Sequence, residues 1–170
     1  MPAQRPTVYL DSNILSVLAY RGGHMESQVQ HVKTRDWWEK ERRHFSLLTS
    51  RWTEGELERG VYPAQKGALA LVRRINYLAR TADVDTCMKT YIEKGLVPAN
   101  KFGDAIQLAF CTAYRLDYLL SWNHAHLVNA DVQHRLEELH RKMKWRTPWL
   151  VSPDTIPWTT LGQEIRRKND

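Results

Sequence analysis

The chain has 170 residues, of which 42% are hydrophobic and 26% charged, a composition typical of one soluble globular domain. Its net charge of +6 favours an anionic partner such as nucleic acid, although excess basic residues on an ordinary surface explain that charge equally well. No stretch is long and apolar enough to span a bilayer, and no signal peptide is recognised, so we predict a cytoplasmic protein with no membrane partner. Cys87 and Cys111 lack metal-ligand spacing, and we predict that both are free thiols.

The first predicted strand is Thr7–Leu10, and it stops at Asp11. Ser12 and Asn13 then begin a helix, as Ser and Asn commonly do after a strand. A carboxylate at the carboxyl end of a parallel strand faces the crevice where such sheets bind ligands. A polar helix over residues 25–44 and a second strand over 45–49 come next.

The following helix carries Glu54, Glu56 and Glu58 in its first turns. Acidic residues at this place are ordinary partners of the helix dipole, which is the simpler explanation for each of them taken alone. Apolar spacing predicts a long amphipathic helix over residues 66–80, with Asn76 on its buried side. A short strand or turn over 83–85 and a helix over 86–95 follow.

The most apolar predicted helix, Ala105–Tyr114, directly follows Asp104. The strand after it, 117–122, ends in the polar pair Asn123–His124, which should face the same crevice as Asp104. A charged helix over 126–144 and a last strand over 149–151 complete the pattern. Strands and helices alternate throughout, which predicts an α/β fold with a parallel sheet between two helical layers.

Four polar positions fall where strands end or helices begin: Asp11, Glu56, Asp104 and Asn123. Carboxylates brought together repel one another, and Mg²⁺ or Mn²⁺ relieves that repulsion because both ions prefer oxygen ligands. Such a site can activate water and stabilise charge on a phosphodiester, so nucleic-acid hydrolysis is the natural reaction. Spacing alone leaves open the simpler interpretation that these acids only cap helices.

The sequence resembles the PIN-domain ribonucleases, in particular the VapC-like toxins of bacterial type II toxin–antitoxin systems. The resemblance rests on the order and spacing of four blocks: VYLDSNILSVL at 8–18, RDWWEKERRHF at 35–45, TSRWTEGELERG at 49–60, and IEKGLVPANKFGDAIQLAFCTAYRLDYLLSWNHAHLVN at 92–129. It implies a single PIN-like α/β/α sandwich over residues 1–150, with a central parallel sheet of about five strands. Residues 151–170 are then a C-terminal extension that we expect to be partly frayed.

The resemblance further implies an endoribonuclease that depends on Mg²⁺ or Mn²⁺. Asp11 and Asp104 match the metal-binding Asp residues of the family, and Glu56 matches its Glu, chosen over Glu54 because the Glu-Leu-x-x-Gly register begins there. Many members have an Asp where this chain has Asn123, so the site holds one negative charge fewer and favours one metal ion and low activity. The predicted metal ligands are Asp11, Asp104 and Glu56, and the predicted catalytic residues are Asp11, Glu56, Asp104 and Asn123. The predicted substrate-binding residues are Ser12, Asn13, Asn123 and His124.

The partners that the resemblance implies are an RNA substrate, a small antitoxin protein that blocks the acidic site, and a second copy of the chain in a homodimer. A catalytically silent PIN-like module that binds RNA or a protein is the alternative, and Asn123 favours it. Several basic residues either line an RNA path or form a solvated face: Arg73, Arg74, Arg80, Lys101 and Arg115. The scattered histidines are predicted at the surface: His24, His31, His44, His134 and His140.

Overall fold

A five-stranded parallel sheet forms the centre of the computed structural model, which describes residues 5–157. The strands in chain order are β1 Thr7–Leu10, β2 Ser46–Ser50, β3 Asn76–Leu78, β4 Tyr118–Leu120 and β5 Trp149–Val151. The α-helices of the described residues are α1 Ser12–Leu18, α2 Met25–Lys40, α3 Arg51–Glu58, α4 Gln65–Val72, α5 Ala82–Glu93, α6 Phe102–Ala113 and α7 Ala130–Met143, with short 3₁₀ turns at Arg42–His44 and Ala99–Lys101.

The sheet separates two hydrophobic cores because successive side chains of a strand point to opposite faces. Val8 and Leu10 of β1 pack with the buried residues of α1 to α4, among them the fully buried Trp37. Tyr9, between them, packs with the buried residues of α5, α6 and α7. The predicted sandwich with a central parallel sheet of about five strands is therefore confirmed.

The strand order across the sheet is β3-β2-β1-β4-β5, and all neighbours run parallel. Strands β2 and β3 are added in turn on one side of β1, and strands β4 and β5 are added in turn on its other side. The order thus reverses between β1 and β4. In open parallel sheets the ligand crevice lies beyond the carboxyl ends of the strands at such a reversal. Here those ends lead into Asp11 and into Ser121–Asn123.

The predicted helix over 66–80 is wrong in its second half, and the third strand lies there. Helix α4 ends at Val72, two turn residues follow, and Asn76–Leu78 pairs with β2 as an edge strand. A short apolar run fits a helix or a strand equally well, and here the free edge of β2 decides between them. Asn76, predicted on a buried helix face, is exposed.

The predicted strand or turn over 83–85 is also wrong, because these residues form the first turn of α5. Thr81 caps that helix, and its Oγ1 accepts a hydrogen bond from the Val84 N–H at 3.3 Å. Asp83 and Asp85 therefore lie where acidic residues complement the helix dipole. Helix α7 begins at Ala130 rather than at residue 126, since Asn129 caps it through the Val132 N–H at 2.9 Å.

His140 is not at the surface as predicted but fully buried in α7. Its Nε2 lies 2.9 Å from the Tyr91 hydroxyl and its Nδ1 lies 3.1 Å from Thr147 Oγ1. The apolar positions around it gave no sign that a polar ring would be satisfied inside the core. Burial lowers the pKa of His140 to about 4, so the ring is neutral at physiological pH.

The end of the described chain packs against the sheet. Strand β5 extends to Val151, and Ile156 is buried in the core beside it. Residues 158–170, which make up the rest of the predicted extension, lie outside the described residues. Cys87 and Cys111 are buried free thiols, and none of the helices in residues 5–157 is long and apolar enough to cross a membrane.

Candidate functional site

Asp11 lies at the reversal of the sheet, directly after β1, and only 4% of it is exposed. Its backbone N–H donates to Leu120 O of β4 at 3.1 Å, which fixes the residue between the two strands. Its Oδ2 accepts hydrogen bonds from Ser121 Oγ at 2.6 Å and Asn13 Nδ2 at 2.9 Å. The carboxylate is therefore held in one orientation by donors that leave its negative charge uncompensated.

Asp104 approaches the same crevice from the first turn of α6. Its Oδ1 accepts a hydrogen bond from Asn123 Nδ2 at 3.1 Å, so the two residues meet across the crevice as their positions in the sequence predict. Burial, followed by the negative charge of Asp11, raises the pKa of Asp104, while His126, Asn123 and Lys101 oppose that rise.

Glu56 reaches the crevice from α3, which follows β2. Its Oε2 accepts a hydrogen bond from Gln107 Nε2 of α6 at 3.0 Å. Burial and then the charge of Asp11 raise the pKa of Glu56, and the side chains of Ser12, Trp52 and Arg59 oppose the rise. The charge of Asp11 thus acts on both Glu56 and Asp104, which places these two carboxylates, from two different helices, within electrostatic reach of Asp11.

None of these three acids forms an ion pair with a Lys or Arg side chain of residues 5–157. The same described residues contain no preformed cluster of three His, Cys, Asp or Glu side chains around a metal position. The donor set nevertheless fits a hard divalent cation, because partly buried carboxylates that repel one another favour Mg²⁺ or Mn²⁺ over softer metals. Asp11, Glu56 and Asp104 are the residues that would hold it.

Glu54 lies two residues before Glu56 on α3 and faces away from the crevice. Its carboxylate pairs with Arg51 Nη1 at 2.5 Å and with Arg73 Nε at 2.8 Å. The hydrogen bond from Arg73 is the largest cause that lowers the pKa of Glu54. Arg73, one of the residues predicted for an RNA path or a solvated face, is thereby engaged in an ion pair on the protein itself.

The predicted substrate-binding residues differ in how their side chains are used. Asn13 ties β1 to β4, because it donates to Asp11 and Ser121 and accepts from the Trp122 N–H at 3.0 Å. Ser12 donates to Asp11 Oδ1 at 3.2 Å. The Oδ1 atom of Asn123 accepts from the His126 N–H at 3.1 Å.

His124 is the most exposed of the predicted substrate-binding residues. Its Nδ1 lies 3.1 Å from Val128 O, and its ring lies at a tilt to that of Trp122, with 6.0 Å between the centroids. His124 is an exposed residue of the loop that follows β4. Of the four predicted residues, His124 is therefore the one best placed to meet a ligand from solution.

Three residues of the site were not predicted: Ser121, Gln107 and Gly103. Ser121 orients Asp11, and a hydroxyl at the end of a strand beside the predicted crevice was a usable signal. Gln107 lies three residues after Asp104 in the most apolar helix, where a buried amide needs a partner. Gly103 gave no signal, because its importance depends on where Glu56 lies in space.

Two solved structures show what the fold is similar to. No protein-family model matches the sequence, and no curated protein matches it. A chain of the VapBC2 complex of Rickettsia felis, bound to a DNA fragment from its promoter, aligns with a TM-score of 0.52 and 12% identity over 86% of this chain and 98% of that one. VapC20 of Mycobacterium tuberculosis, a toxin that cleaves the sarcin–ricin loop, aligns with a TM-score of 0.48 and 17% identity over 66% of this chain and 86% of that one.

Proposed function

We propose that this chain, which has a VapC-like PIN fold, is a metal-dependent endoribonuclease that hydrolyses RNA phosphodiester bonds and serves as the toxin of a toxin–antitoxin pair. The observation that carries the proposal is the set of Asp11, Glu56 and Asp104 at the reversal of the sheet. Two of these acids have raised pKa values, and none of the three forms an ion pair with Lys or Arg in residues 5–157. The +6 charge of the chain suits an RNA substrate.

Two roles are divided among the three acids in the proposed reaction. All three would hold Mg²⁺ or Mn²⁺, which would supply Lewis-acid stabilisation of charge on the scissile phosphate, and Asp11 and Asp104 would have no other role. Glu56 would orient the attacking water and accept its proton, which its raised pKa favours. Asn123 would keep the Asp104 carboxylate oriented through its hydrogen bond to Oδ1.

Asn123 also supports a second candidate, a PIN-like module that binds RNA or a protein without cleaving RNA. Its amide is neutral, so it adds no negative charge to the three acids. Both of its polar atoms are already used, by Asp104 and by the His126 N–H. Retention of all three acids favours the nuclease over this alternative.

The partners that we propose are the RNA substrate, a small antitoxin and a second copy of the chain in a cytoplasmic homodimer. The likeness to a chain of a VapBC2 complex supports the antitoxin. Co-expression with the adjacent open reading frames, followed by purification on a tagged chain, tests for that protein. Sedimentation of the purified chain alone tests for the homodimer.

Cleavage of a mixed pool of tRNA, rRNA and mRNA by the purified protein tests the activity, with Mn²⁺ and with EDTA. We expect discrete fragments that require the metal and disappear in Asp104→Asn. This variant is preferable to a change at Asp11, because Asp11 also accepts the hydrogen bonds that join β1 to β4.

Asp83→Asn provides the matched control, since Asp83 lies in the first turn of α5 as Asp104 lies in the first turn of α6. It should cleave like the unaltered protein. A folded protein that gives no metal-dependent fragments would favour the silent module, and Asn123→Asp would then be the next variant to assay.

A further inference from the structure

We propose that Gln107 and Gly103 of α6 form a cradle that positions the Glu56 carboxylate, so that one helix sets the place of both Asp104 and Glu56. Gln107 and Gly103 are positioning residues, because each acts through Glu56. The inference rests on the proposed function for its catalytic consequence, whereas the cradle itself is a property of the folded chain.

Gln107 holds Glu56 from inside the protein. Only 2% of the Gln107 residue is exposed, and its Nε2 donates to Glu56 Oε2 at 3.0 Å. The reverse orientation of the amide would direct its Oε1 at a carboxylate, so the donor must face Glu56 when that residue is charged. The hydrogen bond joins α6 to α3, which are 51 residues apart in sequence at this contact.

The other amide atom of Gln107 makes this contact a poor source of stability. Its Oε1 is buried and finds no hydrogen-bond donor within the described residues. A buried acceptor without a donor destabilises the folded state. An apolar side chain of similar length would avoid that cost, so the amide is explained by what its Nε2 does for Glu56.

Gly103 provides the space that the Glu56 carboxylate occupies. A Cβ atom at this position would lie 2.8 Å from Glu56 Oε1, and 3.7 Å from Trp52 Nε1. The first of these contacts is far too close for any side chain, although the end of the flexible Glu56 side chain can move away. Alanine at 103 would therefore be accommodated by displacement of Glu56 rather than by disruption of the helix.

Trp52 forms the third wall of this cradle. Its Nε1 is buried without a hydrogen-bond acceptor in the described part of the chain, and it lies 3.7 Å from where a Cβ atom at position 103 would be. Its ring packs against Phe102 with 5.3 Å between the centroids. The carboxylate of Glu56 thus has the Trp52 indole of α3 on one side. On the other side it has Gly103 and the Gln107 amide, both of α6.

Two variants separate the positioning role from a structural one. Gln107→Met keeps the length of the side chain and removes the donor, while Gly103→Ala fills the gap. We expect each to lower the single-turnover cleavage rate at least about tenfold, as is typical of residues that orient a ligand or base. The melting temperature should stay the same or rise, and the KM for RNA should change less than about twofold, since neither residue would touch the substrate.

Matched controls come from the same helices. Gly55→Ala adds a Cβ in α3, directly beside Glu56 in sequence, that meets no atom within 4 Å apart from its chain neighbours and the backbone of its own helix. Thr112→Val removes a buried polar group of α6 whose hydroxyl accepts from Tyr91 at 2.5 Å, at the far end of the helix. Both controls should retain the cleavage rate, whatever they do to the melting temperature.

A double-variant comparison decides whether the two residues act through Glu56. In the Glu56→Gln background, Gln107→Met and Gly103→Ala should cause no further loss of rate. A further tenfold loss there, or parallel losses of rate and melting temperature in the single variants, would overturn the proposal.

The crystal structure of each variant gives a readout that does not depend on activity. We expect the Glu56 carboxylate to leave its present position in both variants, and to keep it in Gly55→Ala. If the unaltered protein cleaves no RNA, the proposed function fails while these structures still decide on the cradle. An unmoved carboxylate in both variants would contradict the cradle even if the protein proved to be a nuclease.

Discussion

Glu54 and Glu56 lie two residues apart on α3, but their carboxylates have opposite environments and opposite pKa shifts. Glu54 is buried, pairs with Arg51 and Arg73, and has a lowered pKa. Glu56 accepts a hydrogen bond from Gln107, experiences the charge of Asp11, and has a raised pKa. Residues two apart on a helix point in nearly opposite directions, which places the two carboxylates on different sides of α3.

The difference separates an acid that the fold neutralises from an acid whose charge stays available to a ligand. The fold neutralises Glu54 with its own arginines, so the carboxylate stabilises the protein and has little capacity left for a ligand. Glu56 is held in place by a neutral amide instead, which fixes its position and leaves its charge available. A cation or a proton from water can use that charge.

Activity should separate the two residues most strongly. Glu56→Gln removes the proposed proton acceptor and one proposed cation ligand, so we expect the cleavage rate to fall by about a hundredfold or more. Glu54→Gln should retain the rate within about threefold, because its side chain faces the arginines. Single-turnover cleavage of one mapped RNA substrate at saturating Mn²⁺ measures both. Equal losses in the two variants would mean that α3 matters only as a folded element.

Acid unfolding reports on more than the two glutamates, because the buried His140 also makes the folded protein less stable as the pH falls. The pKa of His140 is about 4 in the folded protein and 6.5 in its ordinary state. The unfolded chain therefore takes up a proton first, and stability falls as the pH drops from about 6.5 to about 4, in total by about 3 kcal/mol. Urea unfolding at a series of pH values measures this loss, which His140→Gln should remove over that range.

Glu54 acts in a lower range of pH and in the same direction. Its folded pKa is lowered, so its stabilisation is present above its ordinary value of 4.5 and is lost as the pH falls through the folded pKa. Glu54→Gln should lower the melting temperature at pH 7 by roughly 3–6 °C, since charge-assisted hydrogen bonds are lost.

Glu58→Gln is the control for that loss, because Glu58 is exposed and its contact with Arg73 is long, at 3.4 Å. It should leave the melting temperature nearly unchanged. Glu56→Gln should keep or raise it, since a carboxylate with a raised folded pKa destabilises the protein at neutral pH. A fall for Glu56→Gln as large as that for Glu54→Gln would remove the distinction between the two acids.

Much of the fold could be predicted from the sequence, because alternating patterns and polar strand ends follow from local chemistry. The α/β sandwich, the strand at Thr7–Leu10 and the strand at Trp149–Val151 were predicted in this way. Strand β3 was not, since Ile75–Leu78 is too short for its period to be read and its strand form depends on pairing with β2. His140 was misplaced because its partners, Tyr91 and Thr147, are distant or unremarkable in the sequence.

The candidate site divides in the same way. Polar residues that follow strands could be found without a structure, and Asp104 does meet Asn123 across the crevice. Glu56 was preferred to Glu54 on a family register alone, and the ion pair between Arg73 and Glu54, which agrees with that preference, is visible only in the structure. Gln107 and Gly103 depend on the approach of α6 to α3, which no local pattern encodes.

Binding of Mn²⁺ gives the smallest effect and the most direct comparison, because it needs no RNA. At a free concentration ten times its Kd, Mn²⁺ should stabilise the folded protein by about 1.4 kcal/mol, which raises the melting temperature by about 3–5 °C. The increase should disappear in Asp104→Asn and shrink in Glu56→Gln, since both remove a charged oxygen ligand. Glu54→Gln should retain it in full, although its starting melting temperature is lower. If Glu54→Gln abolished the increase instead, the cation would bind on the arginine side of α3, which its positive charge makes physically unfavourable.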